Sequence, residues 1–203
     1  MKLYITKGSP YARIARIVVH EKGLADRVEI ISAKTRQADS PYYSVNPSGR
    51  VPHLFRDDGV GLEDSALICA YLDSLVGEPA FGFPDGEQGW ETRRLEALAR
   101  STLDGLAVLG RETFRPKIEQ SPTTLQHEAD RARRLLDVWE REIENPIMLG
   151  ALNLPQITLA CALGFTALIA EFEWRPGHPK LGDWFDKISA IPSLADTAPP
   201  VRR

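Results

Sequence analysis

The chain has 203 residues, of which 43% are hydrophobic and 26% are charged, a balance typical of globular proteins with a buried core. The net charge of −3 and the lack of lysine and arginine blocks argue against nucleic acid as the main partner. The most apolar stretch, residues 157–170, is shorter than the roughly 20 residues that a membrane-spanning helix needs. We therefore expect no membrane partner.

Strand and helix patterns alternate over the first 77 residues. Their predicted order is β-α-β, then an irregular segment, then β-β-α, which defines an α/β domain. The strongest short-range signal is the Asp58-Gly59 pair, which predicts a hairpin turn between two short strands. The segments that carry the patterns are KLYIT (2–6), a helix over 11–22, RVEIIS (27–32), the hairpin within 51–64 and a helix over 65–76.

A different pattern follows. Residues 78–89 are rich in proline and glycine and indicate a linker, and residues 90–203 carry only helix signals. In 125–143 the apolar residues recur at steps of four and three, as one face of a helix requires. Asn153 and Gln156 have the spacing of a capping box at the start of the apolar helix. The second domain is therefore predicted to be an all-α helical bundle.

The two cysteines, Cys69 and Cys161, lie far apart in apolar helical segments, and the N-terminal residues do not resemble a signal peptide. Both thiols are interpreted as core residues, and we expect a cytoplasmic protein.

The sequence lacks the motifs of several common catalytic and binding sites. The four histidines have no metal-ligand spacing to one another or to a cysteine, so no metal site is predicted. No phosphate-binding glycine loop and no G-x-S-x-G elbow is present.

The first feature with chemical potential is Ser9-Pro10. A serine N-cap followed by proline at the first helical position explains both residues structurally. The end of a strand followed by a helix N-terminus is equally a natural site for an anion. The pattern alone leaves both readings open.

The second feature is the segment NPSGRVPHLF, residues 46–55. Pro52 directly precedes a strand, either as a trans proline on an edge strand or as a cis proline. Only about 5 to 6% of X-Pro bonds are cis, so the sequence does not decide between the two. A cis bond would leave the backbone of Val51 able to pair with an extended ligand.

The third feature is LEDSALI, residues 62–68, in which Asp64 and Ser65 open a helix. An acid and a hydroxyl there are ordinary capping residues. The alternative is that they hold a ligand that carries both a carboxylate and an ammonium group.

Taken in order, SPYARIARIVVHEKGL, NPSGRVPHL, EDSALICAYL, the linker, the helical second half and the closing HPKLGDWFDKISAIPSL resemble the glutathione transferase family over nearly the whole chain. The first domain resembles the thioredoxin-like domain of that family. With serine at the helix start, the chain is most similar to the small bacterial-type members. The resemblance implies a transferase that adds the thiolate of glutathione, as co-substrate and without a further cofactor, to an electrophilic small molecule.

The resemblance also implies roles for individual residues. Ser9 is expected to donate to the glutathione sulfur, and Val51 to pair with the cysteinyl backbone across a cis Pro52. Asp64 and Ser65 are expected to hold the γ-glutamyl end.

Further residues complete the predicted site. Arg50 is a candidate contact of the glycyl carboxylate, and Asp104 a candidate contact of the γ-glutamyl ammonium across the interface of a homodimer. The hydrophobic electrophile would lie in an apolar cleft lined by Tyr11, Phe114 and Trp174.

Two other functions are compatible with this fold. A glutathione-dependent thiol oxidoreductase would need a cysteine at the helix start, and Ser9 cannot form a mixed disulfide. A non-catalytic binding or scaffold protein remains open, because the fold does not determine the function.

Overall fold

The structure is a computed structural model that describes residues 1–78, 80–170 and 172–200. The chain divides into two compact units, Met1–Gly82 and Phe83–Arg203. The prediction of an α/β unit followed by a helical unit is confirmed. Pro79 of the predicted linker, and Glu171 and 201–203 of the predicted helical domain, lie outside the described residues.

The first unit is a four-stranded mixed sheet with strand order β2-β1-β3-β4. β1 pairs in parallel with β2, while β3 is antiparallel to both β1 and β4. Together with its two helices it forms the thioredoxin-like domain that the resemblance implies. Its elements are β1 (Lys2–Ile5), α1 (Pro10–Glu21), β2 (Glu29–Ser32), a 3₁₀ turn (Pro41–Ser44), β3 (His53–Phe55), β4 (Gly61–Glu63) and α2 (Ser65–Ser74).

Strand alternation produces the core of this unit. Leu3 and Ile5 of β1 and Leu54 of β3 are buried, and Ile14 and Val18 of α1 are fully buried as well. α1 packs against α2, and α2 packs against β3 and β4. The helices therefore cover the face of the sheet that carries these side chains.

A buried ion pair joins the C-terminal ends of the two helices. The side chain of Lys22 is 0% exposed, and its ammonium lies 2.9 Å from Asp73 Oδ1. Lys22 also donates to the carbonyl of Gly77, and Asp73 accepts from the N–H of Phe81. The chain that leaves α2 is thus tied to α1 by charge-assisted hydrogen bonds.

The second unit contains only helices among the residues that the structure describes. All twelve residues of α6 are buried, which explains why its sequence is apolar on every side. Its elements are α3 (Gly86–Thr113), α4 (Pro122–Glu142), α5 (Pro146–Leu149), α6 (Leu154–Phe165), a 3₁₀ turn (Thr166–Leu168), α7 (Pro179–Ser189) and α8 (Pro192–Asp196).

The capping box of α6 is confirmed. The side chain of Asn153 accepts from the N–H of Gln156, and the side chain of Gln156 accepts from the N–H of Asn153. Gln156 also donates to the carbonyl of Met148, to which the indole of Trp184 donates at 2.9 Å. The start of the buried helix therefore has its polar groups satisfied.

The structure differs from the predicted element bounds mainly at the linker. α3 begins at Gly86, so the last four residues of the predicted linker 78–89 are helical, and the division between the units falls after Gly82. The glycines in this segment masked the helical pattern because glycine disfavours helices. α7 ends at Ser189, and Pro192 opens the short α8.

Both cysteines are buried, Cys69 in the first unit and Cys161 in the second, as expected of core thiols. No described helix is long and apolar enough to cross a bilayer.

Glu96 is a buried acid in the second unit. Its carboxylate accepts from the hydroxyl of Thr158 at 2.9 Å and lies 2.6 Å from Arg100 Nε. Burial raises the pKa of Glu96 to about 7, because the loss of hydration outweighs the opposing effects of Arg100 and Thr158.

This shift predicts a pH-dependent stability. A carboxyl whose pKa rises from 4.5 to about 7 on folding stabilises the fold below pH 4.5 relative to higher pH, and this contribution is lost as the pH rises through 7. Through this group the wild type should lose about 3 kcal/mol of unfolding free energy between pH 4.5 and 8. Glu96→Gln has no carboxyl to titrate there and should not show this loss. Denaturant unfolding of both proteins across that range measures it.

The control is Glu87→Gln, an exposed acid on the same helix. Its unfolding free energy should follow the wild-type pH dependence. Equal pH dependence of wild type and Glu96→Gln would contradict the shift.

Candidate active site

The three sequence features of the first unit lie at one end of the sheet. β1 leads to Ser9 and β4 leads to Asp64, and both strands run antiparallel to β3, which begins directly after Pro52. In this register Tyr4 lies opposite His53, and His53 lies opposite Glu63. The C-terminal ends of β1 and β4 therefore meet the N-terminal end of β3.

Ser9 is the N-cap of α1, and its hydroxyl oxygen accepts from the N–H of Ala12 at 3.2 Å. A serine hydroxyl has one hydrogen to donate and two lone pairs. Capping occupies one lone pair, and no residue that the structure describes accepts the hydroxyl hydrogen of Ser9. Ser9 can therefore cap the helix and donate to a ligand at the same time.

Asp64 is the N-cap of α2, and its carboxylate accepts from the N–H of Ala66 at 2.7 Å. Its φ of +78° lies in a region that residues other than glycine rarely adopt. Ser65, the next residue, is 3% exposed, whereas the side chain of Asp64 is exposed. The site therefore presents a carboxylate held by a strained backbone, a feature that clusters at functional positions.

Two helix N-termini thus open at the same end of the sheet, that of α1 after Ser9 and that of α2 after Asp64. Each carries the positive end of a helix dipole. This arrangement favours a ligand with negative charge, while Asp64 adds a place for a positive group.

The Val51–Pro52 bond is cis, as the resemblance implies. Val51 is half-buried, and neither its N–H nor its C=O forms a hydrogen bond with any described residue. Arg50 is exposed, and its guanidinium forms no hydrogen bond or ion pair with a described residue. A backbone donor and acceptor are therefore available directly before β3.

Sequence reasoning missed the side chains that hold this segment. The carbonyl of Arg50 accepts from the hydroxyl of Tyr42 at 2.5 Å and from Asn46 Nδ2 at 3.0 Å. On the other side, the N–H of Arg50 donates to Ser48 Oγ, and Ser48 donates to Glu63. The Asn-Pro and Ser-Gly pairs of the loop signalled turns, but nothing in the sequence indicated that Tyr42 reaches Arg50.

His53 was not identified from the sequence either. It is 6% exposed, and neither ring nitrogen has a hydrogen-bond partner among the described residues. Burial lowers the pKa of His53, against the opposing effect of the Glu63 carboxylate, and so favours the neutral ring. Its ring occupies the place where a side chain at Gly61 would project, with a Cβ there lying only 2.7 Å from ring atoms.

The other predicted residues are distributed over both units. Tyr11 is half-buried in the first turn of α1. Asp104 is exposed on α3, and Phe114, at the end of α3, is 42% exposed and lies edge-on to Phe165. Trp174 is 7% exposed and packs edge-on against Phe185, which leaves little of its surface for a ligand.

The opposite end of the sheet carries a separate open cavity of about 440 Å³. The Met1 ammonium, Lys2 and Arg27 line it together with Asp26 and Asp57. Charges of both signs neutralise each other there, as in the 2.7 Å ion pair of Met1 with Asp57. None of the three sequence features reaches this cavity.

No group of three or more histidine, cysteine, aspartate or glutamate side chains is placed to hold a metal ion within residues 1–78, 80–170 and 172–200.

Comparison with protein families identifies both units. Residues 8–75 match the glutathione S-transferase N-terminal domain, and residues 122–187 match the glutathione S-transferase C-terminal domain. The first match spans Ser9, Val51 and Asp64.

Individual relatives match this chain over nearly its full length. The chain is 31% identical to the uncharacterized GST-like protein YibF of Escherichia coli (strain K12), covering 98% of this chain and 99% of the relative. A glutathione transferase family member from Pseudomonas fluorescens Pf-5 with bound glutathione is 31% identical, with a TM-score of 0.89 over 98% of this chain and 99% of that one. The structure of such a member with bound S-(propanoic acid)-glutathione is 32% identical, with a TM-score of 0.86 over 99% and 100%.

The fold is a thioredoxin-like domain followed by a helical domain, and both domains match glutathione S-transferase models. This chain therefore belongs to the glutathione S-transferase family.

The backbone at Asp64 leads to a prediction about stability. Asp64→Gly removes the capping side chain, which costs only a few tenths of a kcal/mol for glycine, and relieves strain on the order of 1 to 3 kcal/mol. We expect this variant to unfold at higher denaturant concentration than the wild type. Asp64→Ala is the matched control: it loses the cap, keeps the strain and should be destabilised by about 1 kcal/mol. Equal destabilisation of both variants would show that the backbone is unstrained.

Proposed function

We propose that this chain is a serine-type glutathione transferase that conjugates the thiolate of glutathione to electrophilic small molecules. The observation that carries the proposal is the hydroxyl of Ser9, which caps α1 through one lone pair and keeps its hydrogen for a ligand. The bound glutathione of the Pseudomonas fluorescens relative supports the choice of ligand.

The required stabilisation is within reach of these groups. A thiol with an ordinary pKa of about 8.5 is only about 3% thiolate at pH 7. Lowering that pKa by about two units takes roughly 3 kcal/mol of preferential stabilisation of the anion. A hydroxyl hydrogen bond to an anion contributes about 1.5 to 3 kcal/mol, and a helix N-terminus about 0.3 to 2 kcal/mol. Ser9 and α1 together therefore suffice without a metal or a general base.

The remaining groups match the rest of the tripeptide. The N–H and C=O of Val51 suit pairing with the cysteinyl backbone, as in a short extended strand. Asp64 and Ser65, at the start of α2, suit the γ-glutamyl ammonium and carboxylate. Arg50, exposed beside Val51, suits the glycyl carboxylate.

The finer parts of the proposal concern the second unit and the assembly. The electrophile is a hydrophobic small molecule, for which Tyr11, Phe114 and Trp174 are candidate contacts. Asp104 contacts the γ-glutamyl ammonium of the other subunit in a homodimer, and the protein acts in the cytoplasm.

The test is calorimetric titration with glutathione at pH 7, with the ultraviolet absorbance of the thiolate followed in parallel. We expect the wild type to bind and develop thiolate absorbance. Ser9→Ala should bind with a dissociation constant within about threefold of the wild type, because the backbone contacts remain, yet develop no thiolate absorbance.

Ser121→Ala is a closely matched control. Ser121 caps α4, is followed by Pro122 and accepts from Thr124 N–H at 3.2 Å, the distance found at Ser9. This variant loses an equivalent cap and should keep the thiolate absorbance. A wild type that fails to bind at millimolar glutathione would refute the transferase and favour the binding or scaffold protein.

A further inference from the structure

The peptide between Arg50 and Val51 is held from one side by two buried donors. Tyr42 is 5% exposed and Asn46 is 3% exposed, and both donate to the carbonyl oxygen of Arg50. Asn46 Nδ2 also lies 3.5 Å from the Tyr42 hydroxyl. Burial raises the pKa of Tyr42, so its hydroxyl remains a donor at neutral pH.

This clamp determines the direction of the next N–H. The Arg50–Val51 bond is trans, and in a planar trans peptide the C=O and N–H point in opposite directions. Since the carbonyl of Arg50 points to Tyr42 and Asn46, the N–H of Val51 points away from them. That N–H meets no acceptor among the described residues.

A second line of hydrogen bonds supports the loop. The side chain of Asn46 accepts from the N–H of Ser48, and Ser48 Oγ accepts from the N–H of Arg50. Ser48 in turn donates to Glu63 of β4 at 2.5 Å. Arg50 is thereby held through its carbonyl and, in the preceding peptide, through its own N–H before any ligand arrives, which reduces the entropy lost on binding.

We propose that Tyr42 and Asn46 are positioning residues for ligand binding, which hold the Arg50–Val51 peptide so that the Val51 N–H is aimed at a carbonyl of the bound peptide. The proposal rests on the proposed function, in which that ligand is glutathione. Tyr42 and Asn46 act on affinity through the backbone, whereas Ser9 acts on the ionisation of the thiol. The two effects are therefore separable.

Tyr42→Phe removes one of the two donors and keeps the ring, which lies 5.6 Å from the ring of Tyr4. Asn46→Ser keeps a side-chain oxygen for the turn at Ser48 but cannot reach the Arg50 carbonyl. We expect each variant to raise the dissociation constant of glutathione about threefold to tenfold. S-methylglutathione, which lacks the thiol, should lose affinity by the same factor.

One readout, one measurement condition and one control variant separate positioning from a general loss of structure. The thiolate absorbance of each variant saturated with glutathione should equal that of the wild type. The measurements are made well below the thermal unfolding midpoint of each variant. Tyr43→Phe, the same change one residue along on a half-buried tyrosine, should bind both ligands as the wild type does.

The outcomes are distinct. Tyr42→Phe and Asn46→Ser proteins that bind both ligands within twofold of the wild type would overturn the positioning role while leaving the transferase intact. An equal loss in Tyr43→Phe would also overturn it, because the effect would then be general. A wild type that binds neither ligand would instead refute the proposed function and this inference with it.

Discussion

The antiparallel pairing of β3 between β1 and β4 is the constraint on which the site depends. It places the start of β3 beside the ends of the two strands that lead into α1 and α2. Three segments separated along the chain therefore meet at one end of a four-stranded sheet. The buried apolar side chains of α1 and α2 and the Lys22–Asp73 ion pair hold these two helices in place.

The chemistry of this site comes from two side chains at helix starts and from the backbone directly before β3. Its principal groups are the hydroxyl of Ser9, the carboxylate of Asp64 and the backbone N–H and C=O of Val51. No described residue forms a hydrogen bond with either backbone group of Val51. Side chains such as Tyr42 and Asn46 serve by orienting the peptide. Fixed dipoles need little reorganisation when a charge forms on a ligand, and so suit the stabilisation of a thiolate.

Much of the fold could be predicted because local rules agreed with each other. The Asp58-Gly59 turn, the 3.6-residue pattern of α4 and the capping box at Asn153 each have a short-range physical cause. The end of the linker was predicted less accurately, because its glycines obscured the start of α3 at Gly86. Ser9, Val51 and Asp64 were recognisable because each stands at the boundary of an element.

The clamp on Arg50 and the burial of His53 were not predictable in the same way. The reach of Tyr42 across eight residues depends on the path of an irregular loop, which no periodic pattern describes. The ring of His53 lies over Gly61, and the two residues are brought together by strand register. Such contacts follow from tertiary structure, and single-sequence patterns carry little information about them.

The most direct measurement of the central claim is a titration of the ¹⁵N-labelled protein with glutathione, followed by the amide resonances of the first unit. Saturable shifts should concentrate at Val51 and at the starts of α1 and α2, with little change at Lys2 and Phe55 near the opposite cavity. Shifts centred on that cavity, or a Val51 amide unmoved at saturation, would contradict the placement of the site.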